Sequence, residues 1–265
     1  RPATYHMLPL TLTERCKDFH LASSLDYGHR PSIPAEPDPD KFLHSYVKTY
    51  IREEVIQEGL TRNVGAFARF LELASFSQGC VLNMSEIARD AHINRKVVEE
   101  YFGILEDLLI ARRVPIFTKR AKRRMSSHPK FYFFDVGVYR AIRPMGPLDS
   151  PAEAEGPGLE TLLLQEMLAY NDYFELHYDF YFWRTSTGQE VDFVLYGPKG
   201  LHAFEIKRSQ NLSTRDFRGL KSFLEDYPEA KGYLVYGGTR EEYREGIRVI
   251  PVQEALQKMA EFLSN

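Results

Sequence analysis

The chain has 265 residues, a formal net charge of -3, 43% hydrophobic residues, 13% aromatic residues and two cysteines. This composition can bury a sizeable core, which argues against wholesale disorder, and the length favours about two domains. Two widely spaced cysteines argue against a disulfide framework or a zinc cluster, and the lack of a long apolar run or secretion signal predicts a cytoplasmic chain without a membrane partner.

The first half of the chain is predicted to be mainly helical. Residues 1–40 show no sustained periodicity, and we interpret them as a remnant or linker that ends in a proline-rich boundary. Apolar residues at helical spacing then predict a helix over 41–57. Three further helices are predicted in quick succession, over 64–76, 85–91 and 94–110.

A short connection at 91–94 predicts a helix-turn-helix, with Asn94 as the cap of the second helix. Predicted strands over 114–117 and 130–134 would complete a winged helix-turn-helix domain over 41–145. We expect this domain to contact DNA through Asn94, Arg95, Lys96, Lys119, Arg120, Lys122, Arg123 and Arg124. Glu99 and Glu100 would repel phosphates one turn further on, so a winged helix used as a protein-protein or interdomain module is the alternative.

The charge is unevenly distributed along the chain. Eight basic residues and no acid lie between Arg112 and Lys130, whereas the remainder of the chain has an acidic excess. Such a strip indicates a directed contact with a polyanion, of which nucleic acid is the obvious example. The alternative is a solvated loop, or a strip that pairs with acidic surface of the same protein.

Prolines and glycines at 143–158 mark a boundary before a second domain over 150–265. Its predicted order is one helix, three strands, one helix and one strand, which makes the whole chain a mixture of α+β and α/β structure. The predicted elements are the helix 159–170, the strands 181–184, 190–196 and 201–207, the helix 213–227, the strands 232–236 and 247–250, and a last helix from Pro251.

Ionisable residues alternate with apolar residues in two of these strands. Asp192 lies in one strand, and Glu205 and Lys207 share a face of the next, so antiparallel pairing would bring them together. Two carboxylates bind Mg²⁺, and a lysine can hold or activate a water beside a phosphate. Glu160, on the preceding helix, could point into the same cleft. The alternative is a salt bridge between strands on a solvated face.

Asp192, followed thirteen residues later by Glu205-Ile206-Lys207 with Glu160 on the first helix, resembles the PD-(D/E)xK nuclease superfamily, which has a restriction-endonuclease-like fold. The resemblance implies that Asp192 and Glu205 ligate a metal, that Lys207 assists the attacking water, and that Glu160 supports metal binding. Val191 stands where the motif has proline.

A second resemblance covers nearly the whole chain. Five runs look like the C-terminal half of an uncharacterised family of bacterial and archaeal AAA+ ATPases, in which a P-loop domain precedes a winged helix and a nuclease-like domain of unknown function. They are 42–54 (FLHSYVKTYIREE), 82–101 (LNMSEIARDAHINRKVVEEY), 130–138 (KFYFFDVGV), 182–195 (FWRTSTGQEVDFVL) and 204–209 (FEIKRS). The resemblance implies that the chain is a fragment whose partner is the ATPase domain of the same parent chain.

No glycine in the sequence is followed by lysine, so the chain contains no P-loop to hold a nucleotide. We therefore expect ATP to bind only in the N-terminal domain of the parent protein. The expected function is DNA binding through the winged helix and Mg²⁺-dependent phosphodiester hydrolysis by the nuclease-like domain. The alternative is an inactive module that recognises DNA or a protein for the ATPase.

Overall fold

In the computed structural model, the described residues are 7–15, 19–57, 63–119, 128–147 and 149–264. The chain divides into two compact units. The helical unit contains His20–Arg113 and His128–Leu162, and the sheet unit contains Arg1–Phe19, Val114–Ser127 and Leu163–Asn265. This division assigns the described residues 114–119 to the sheet unit, whereas the sequence analysis placed them within the domain 41–145.

Helices α1 to α8 precede the longest helix of the described chain. They are Leu12–Arg15, Leu21–Tyr27, Pro39–Ser45, Arg52–Gln57, Val64–Ser75, Met84–Ala91, Arg95–Asp107 and Val136–Ile142. The predicted helix 41–57 is divided, because a π-helical turn at Tyr46–Ile51 separates α3 from α4. Helices α1, α2 and α8 were not predicted.

Helices α5, α6 and α7 are followed by a two-stranded sheet, β1 (Ala111–Val114) and β2 (Lys130–Phe133). Apolar side chains at helical spacing on these elements meet in one core. Phe70 lies at its centre, with ring centroids 5.2 Å from Tyr101 and 4.8 Å from Phe102, and Phe102 contacts Phe131 at 5.0 Å. Burial of these aromatic rings explains why this part of the sequence shows such strong helical periodicity.

Helix α9 (Pro151–Tyr173) is longer than the predicted helix 159–170. Pro151 opens it, and Pro157, in its second turn, removes one backbone N–H donor from the helix. The Thr161 hydroxyl donates to the carbonyl oxygen of Pro157 at 2.6 Å, and it accepts from the side chain of Gln78 at 2.5 Å. Contacts of this kind stabilise a helix start that its proline and glycines disfavour.

The sheet unit contains a mixed six-stranded sheet with the order β3-β4-β5-β6-β8-β7. Strands β3, β4 and β5 are antiparallel neighbours, β5, β6 and β8 run parallel, and β7 pairs antiparallel with β8. The mixed α and β class expected from the sequence is therefore confirmed. The strands are Asp179–Arg184, Glu190–Gly197, Gly200–Lys207, Lys231–Tyr236, Glu242–Arg244 and Ile247–Pro251.

Helices cover both faces of this sheet. A 3-10 helix (Thr214–Phe217) and α10 (Arg218–Asp226) connect the parallel strands β5 and β6, as a parallel crossover requires. Phe223 of α10 packs with Trp183 on one face, at 5.6 Å between ring centroids. On the other face Tyr233 contacts Phe262 of the last helix at 5.2 Å. The last two helices, α11 and α12, are Val252–Gln257 and Met259–Ser264.

Within the described ranges, no helix combines the length and the apolar character that are needed to cross a membrane.

Candidate functional site

The two strands predicted to hold the acidic residues are antiparallel neighbours, as expected. The β4–β5 ladder runs from the pair Phe193 and Phe204 to the pair Gly197 and Gly200. The backbone ladder does not continue to Asp192. Instead, the Oδ2 atom of Asp192 accepts the backbone N–H of Ile206 at 2.9 Å. The carboxylate is therefore oriented by the strand that carries Glu205 and Lys207.

A register shift explains why Asp192 points this way. Along the β3–β4 ladder Tyr181 pairs with Val194 but Trp183 pairs with Val191, so three residues of β4 span two of β3. The irregular stretch of β4, between Val191 and Val194, contains Asp192 and Phe193. Bulges of this kind redirect single side chains and are frequent next to active sites.

The acidic residues of this pair of strands are more deeply buried than a solvated face would allow. Asp192 is 6% exposed and Glu205 is 7% exposed. The Nζ atom of Lys207 lies 2.6 Å from the Oε1 atom of Glu205. Burial alone would lower the pKa of Lys207, but the carboxylates of Glu205 and Asp192 raise it above its usual value, so the ammonium is charged at neutral pH.

A third carboxylate, missed in the sequence analysis, also acts on Lys207. Asp216 makes a smaller contribution to the raised pKa of the lysine. Its Oδ2 atom accepts from both the backbone N–H and the hydroxyl of Ser213, at 2.7 and 2.9 Å. Ser213, at the start of the predicted helix 213–227, and an acid three residues later form a capping-box pattern, which could have identified Asp216.

Glu160 belongs to the helical unit and has partners there. Its Oε2 atom accepts the hydroxyl of Tyr132 at 2.7 Å and lies 3.9 Å from the Nζ atom of Lys130. The side chain of Lys130 is only 2% exposed, and a buried ammonium requires a counter-charge. The role of Glu160 as a metal ligand stays a prediction, and these contacts show a structural use for its carboxylate.

The predicted start of the recognition helix, α7, is formed as expected. The Oδ1 atom of Asn94 accepts the N–H of Lys96 at 2.9 Å, which confirms the cap. Arg95 and Lys96 are exposed. Glu99 forms an ion pair with Arg113 at 2.5 Å, so the repulsion that this acid would exert on a phosphate is reduced within the helical unit.

The basic strip lies only partly within the described residues. Lys119 is described and exposed, whereas Arg120, Lys122, Arg123 and Arg124 lie outside the described residues. The segment before Lys119 pairs with the edge of the six-stranded sheet rather than extending β1, which ends at Val114. The predicted strand 114–117 is therefore wrong in its position: the strand of the two-stranded sheet is 111–114.

Among the described residues, no three or more His, Cys, Asp or Glu side chains are grouped in a way that could hold a metal ion. The candidate site of the sheet unit therefore consists of two buried carboxylates, a charged lysine and the nearby Asp216. Oxygen ligands of this kind suit a hard cation that completes its coordination with water.

Two family models match the chain, and both are described as a domain of unknown function. Residues 31–149 match DUF8612 and residues 155–255 match DUF4143. The chain is similar to an uncharacterised protein of Mycobacterium bovis and to one of Mycobacterium tuberculosis, each 27% identical over 218 residues. Each match covers 80% of this chain and 47% of the relative, so the chain spans about half the length of these curated relatives. No solved structure matches the chain.

Proposed function

We propose that this chain is the C-terminal part of an AAA+ ATPase-like protein, and that its sheet unit is a PD-(D/E)xK-type domain that hydrolyses a phosphodiester bond with Mg²⁺. The observation that carries the proposal is the pair of buried carboxylates, Asp192 and Glu205, beside the charged Lys207. Ionisable groups with strongly perturbed environments concentrate at functional sites. The match to DUF4143, a domain known from AAA-ATPase-associated proteins, supports a larger parent protein.

The donor set fits Mg²⁺. This ion is usually held by one or two carboxylates and keeps several waters, and substrate phosphates supply further oxygen ligands. Asp192 and Glu205 would supply the protein ligands, in a setting that is closed to bulk solvent except for a small exposed fraction of each residue. When bound, the ion would polarise the phosphoryl oxygen and lower the pKa of a bound water.

Lys207 would act as a cation rather than as a general base. Its Nζ atom lies 2.6 Å from the Oε1 atom of Glu205, and a lysine ammonium can donate hydrogen bonds but cannot accept a proton. In the proposed reaction the N–H donors of Lys207 that do not point to Glu205 orient the attacking water and a phosphate oxygen. Neutralising Lys207 would therefore remove both the orientation of the water and a positive charge beside the transition state.

The test is cleavage of DNA in the presence of Mg²⁺ by the chain and by Asp192→Asn, which keeps an oxygen to accept the Ile206 N–H. We expect cleavage to fall by more than about 100-fold, because even outer partners of metal ligands typically contribute 10- to 100-fold. Glu190→Gln is the matched control, since Glu190 lies on the same strand but pairs with Arg184 at 3.1 Å. Cleavage that survives in Asp192→Asn would contradict the nuclease assignment.

We also propose that the helical unit is a winged helix that contacts DNA. Three successive helices and a two-stranded sheet fit this arrangement, and the exposed Arg95 and Lys96 open the helix that would enter the major groove. Pairing of Glu99 with Arg113 supports this function, because it leaves the start of α7 with less uncompensated negative charge.

An inactive interaction module is the second candidate function. The ion pair between Lys207 and Glu205 favours it, because a carboxylate already neutralised by a lysine is a weaker ligand for a cation. This candidate predicts no cleavage of single-stranded or duplex DNA or of RNA, and no Mn²⁺ bound by Asp192 and Glu205 in paramagnetic resonance or soaked crystals. Mn²⁺ binding that is lost in Asp192→Asn would exclude it.

A further inference from the structure

The chain segment 115–119 extends the edge of the six-stranded sheet. The N–H of Phe182 donates to the carbonyl oxygen of Pro115 at 3.0 Å, and the N–H of Phe117 donates to the carbonyl oxygen of Phe182 at 2.7 Å. The Phe117 ring is 1% exposed and lies 5.3 Å from Tyr227 and 5.4 Å from Tyr181. Two backbone hydrogen bonds and a buried ring fix the position of the backbone just before Lys119.

This anchor places a cation over two aromatic rings. The Nζ atom of Lys119 lies 4.1 Å from the ring centroid of Tyr196 and 5.5 Å from that of Tyr181. Tyr196 is 41% exposed, which is unusual for a large aromatic side chain on a sheet whose other aromatic residues are mostly buried. The exposed carboxylate of Asp179 lies 3.7 Å from Lys119 and is the acid that borders this surface.

We infer that the surface formed by Lys119, Tyr181 and Tyr196 binds single-stranded nucleic acid. Proteins bind single strands by combining aromatic rings, on which bases stack, with cations that follow the phosphates. A base can displace the ammonium of Lys119 from the face of Tyr196, because base stacking on an aromatic ring is stronger than an exposed cation–π contact. The displaced lysine then meets a phosphate.

The charge of the chain that follows Lys119 identifies the occupant as a polyanion. Four further basic residues occur within the next five positions, and no acid occurs before Lys130. A duplex would satisfy this charge but stacks its bases internally, so it has no base faces to offer to Tyr196. An acidic protein segment would likewise leave the exposed ring without a stacking partner. A single strand uses both features.

This inference names single-stranded nucleic acid as the substrate class of the proposed nuclease. In that respect it rests on the proposed function. Tyr196 and Asp192 lie on the same strand, four residues apart, which corresponds to about 13 Å along β4. A strand of a few nucleotides can span that distance. The basic strip would thus serve the sheet unit that carries the candidate site, in addition to any contact made by the helical unit.

The experiment measures binding of a fluorescent 15-nucleotide single-stranded DNA by anisotropy, in EDTA, with the whole chain. For Tyr196→Ala we expect Kd to rise about 5- to 150-fold, the range that loss of one stacked base implies, whereas Tyr196→Phe should bind like the wild type. Lys119→Gln should weaken binding and reduce the slope of log K against log salt by about 1. Tyr243→Ala is the matched control, because Tyr243 is 74% exposed on the opposite edge strand, and its Kd should not change.

An unchanged Kd in Tyr196→Ala, with an unchanged thermal unfolding midpoint, would overturn the inference. The inference would also be overturned if duplex DNA bound as tightly as the single strand and neither affinity changed in Tyr196→Ala. It would be overturned as well if poly-glutamate displaced the labelled DNA as effectively as unlabelled single-stranded DNA does. Because binding is measured without metal, the two proposals fail separately. Tyr196-dependent binding without any cleavage would remove the proposed catalysis and leave this inference standing.

Discussion

At the scale of single residues, Glu166 shows how burial changes the charge state of a side chain. Its carboxylate is 1% exposed, on the half of α9 that belongs to the sheet unit, and accepts the N–H of Leu12 at 2.6 Å. Burial raises the pKa of Glu166 to about 8. The negative charge of Glu14 adds to this rise, and the hydrogen bond from Leu12 opposes it. The folded protein therefore binds a proton here that the unfolded chain releases near pH 4.5.

This proton makes stability depend on pH. A pKa that is raised in the folded state contributes stability below the unfolded value, and that contribution is lost as pH rises from about 4.5 to about 8. Glu166→Gln keeps an oxygen acceptor for Leu12 and removes the titration. We expect the variant to be more stable than the wild type at pH 8, by up to a few kcal/mol, and to differ little at pH 4.5. Urea unfolding at both pH values is the measurement, and parallel pH profiles would contradict the prediction.

The residues of the candidate site were named from the sequence, but their burial and the irregular strand pairing around them were not predicted. Asp192, Glu205 and Lys207 were identified because alternation places ionisable side chains on one face, and the antiparallel pairing confirms the strands. Their burial was not predicted, since alternation with apolar residues normally indicates a solvated face. The register shift beside Asp192 depends on the neighbouring strand β3, and no pattern within β4 encodes it.

At the scale of elements, α8 depends on a buried cap. The Oδ1 atom of Asp135 accepts the N–H of Val138 at 3.1 Å, and its Oδ2 atom accepts the N–H of His29 at 2.8 Å. Gly28, at φ 71°, passes so close that a Cβ atom would lie 2.3 Å from this carboxylate. A Cβ on Gly137 would lie 2.1 Å from the carbonyl oxygen of Tyr27. Two glycines therefore allow α2 and α8 to approach each other.

Asp135→Ala should destabilise the helical unit by about 2–5 kcal/mol, because it removes a helix cap and leaves the buried N–H of His29 without an acceptor. Asp38→Ala is the matched control: Asp38 caps α3 through the N–H of Lys41 at 3.0 Å, but that contact is exposed, so the loss should be about 1 kcal/mol. Thermal unfolding of both variants tests the difference. Equal losses would show that the buried partner of Asp135 contributes nothing.

Elements with strong periodicity were predicted close to their observed bounds, and elements that depend on tertiary contacts were not. The helices α5 and α7 begin where they were expected, because apolar spacing and the asparagine caps Asn63 and Asn94 act locally. Helix α8 was missed, since it begins directly after β2 and contains a glycine that only its approach to α2 explains. Segment 115–117 was assigned to the wrong partner because strand pairing is a non-local property.

At the scale of the whole molecule, the basic strip dominates an otherwise acidic chain. We expect simultaneous neutralisation of Lys119, Arg120, Arg123 and Arg124 to weaken DNA binding and to reduce the salt slope by about 3 to 4, since each phosphate contact contributes about 0.9. Titrations of labelled DNA between 50 and about 200 mM salt measure both effects. Neutralising Lys221, Lys231, Arg240 and Lys258, which also removes four positive charges, is the control for total charge. Unchanged affinity in the four-residue variant would refute a role of the strip in DNA binding.

The sequence by itself determined the strongly periodic helices and the longer strands of the sheet, where charge accumulates, and which three side chains of β4 and β5 are candidates for the proposed chemistry. Those properties depend on periodicity, capping and composition, which act over a few residues. Only the tertiary structure decided that Asp192 and Glu205 are buried, that Glu160 partners Lys130, and that the segment leading to Lys119 pairs with strand β3 of the sheet unit. These outcomes require segments far apart in the chain to meet, and a one-dimensional pattern contains no record of which segments do so.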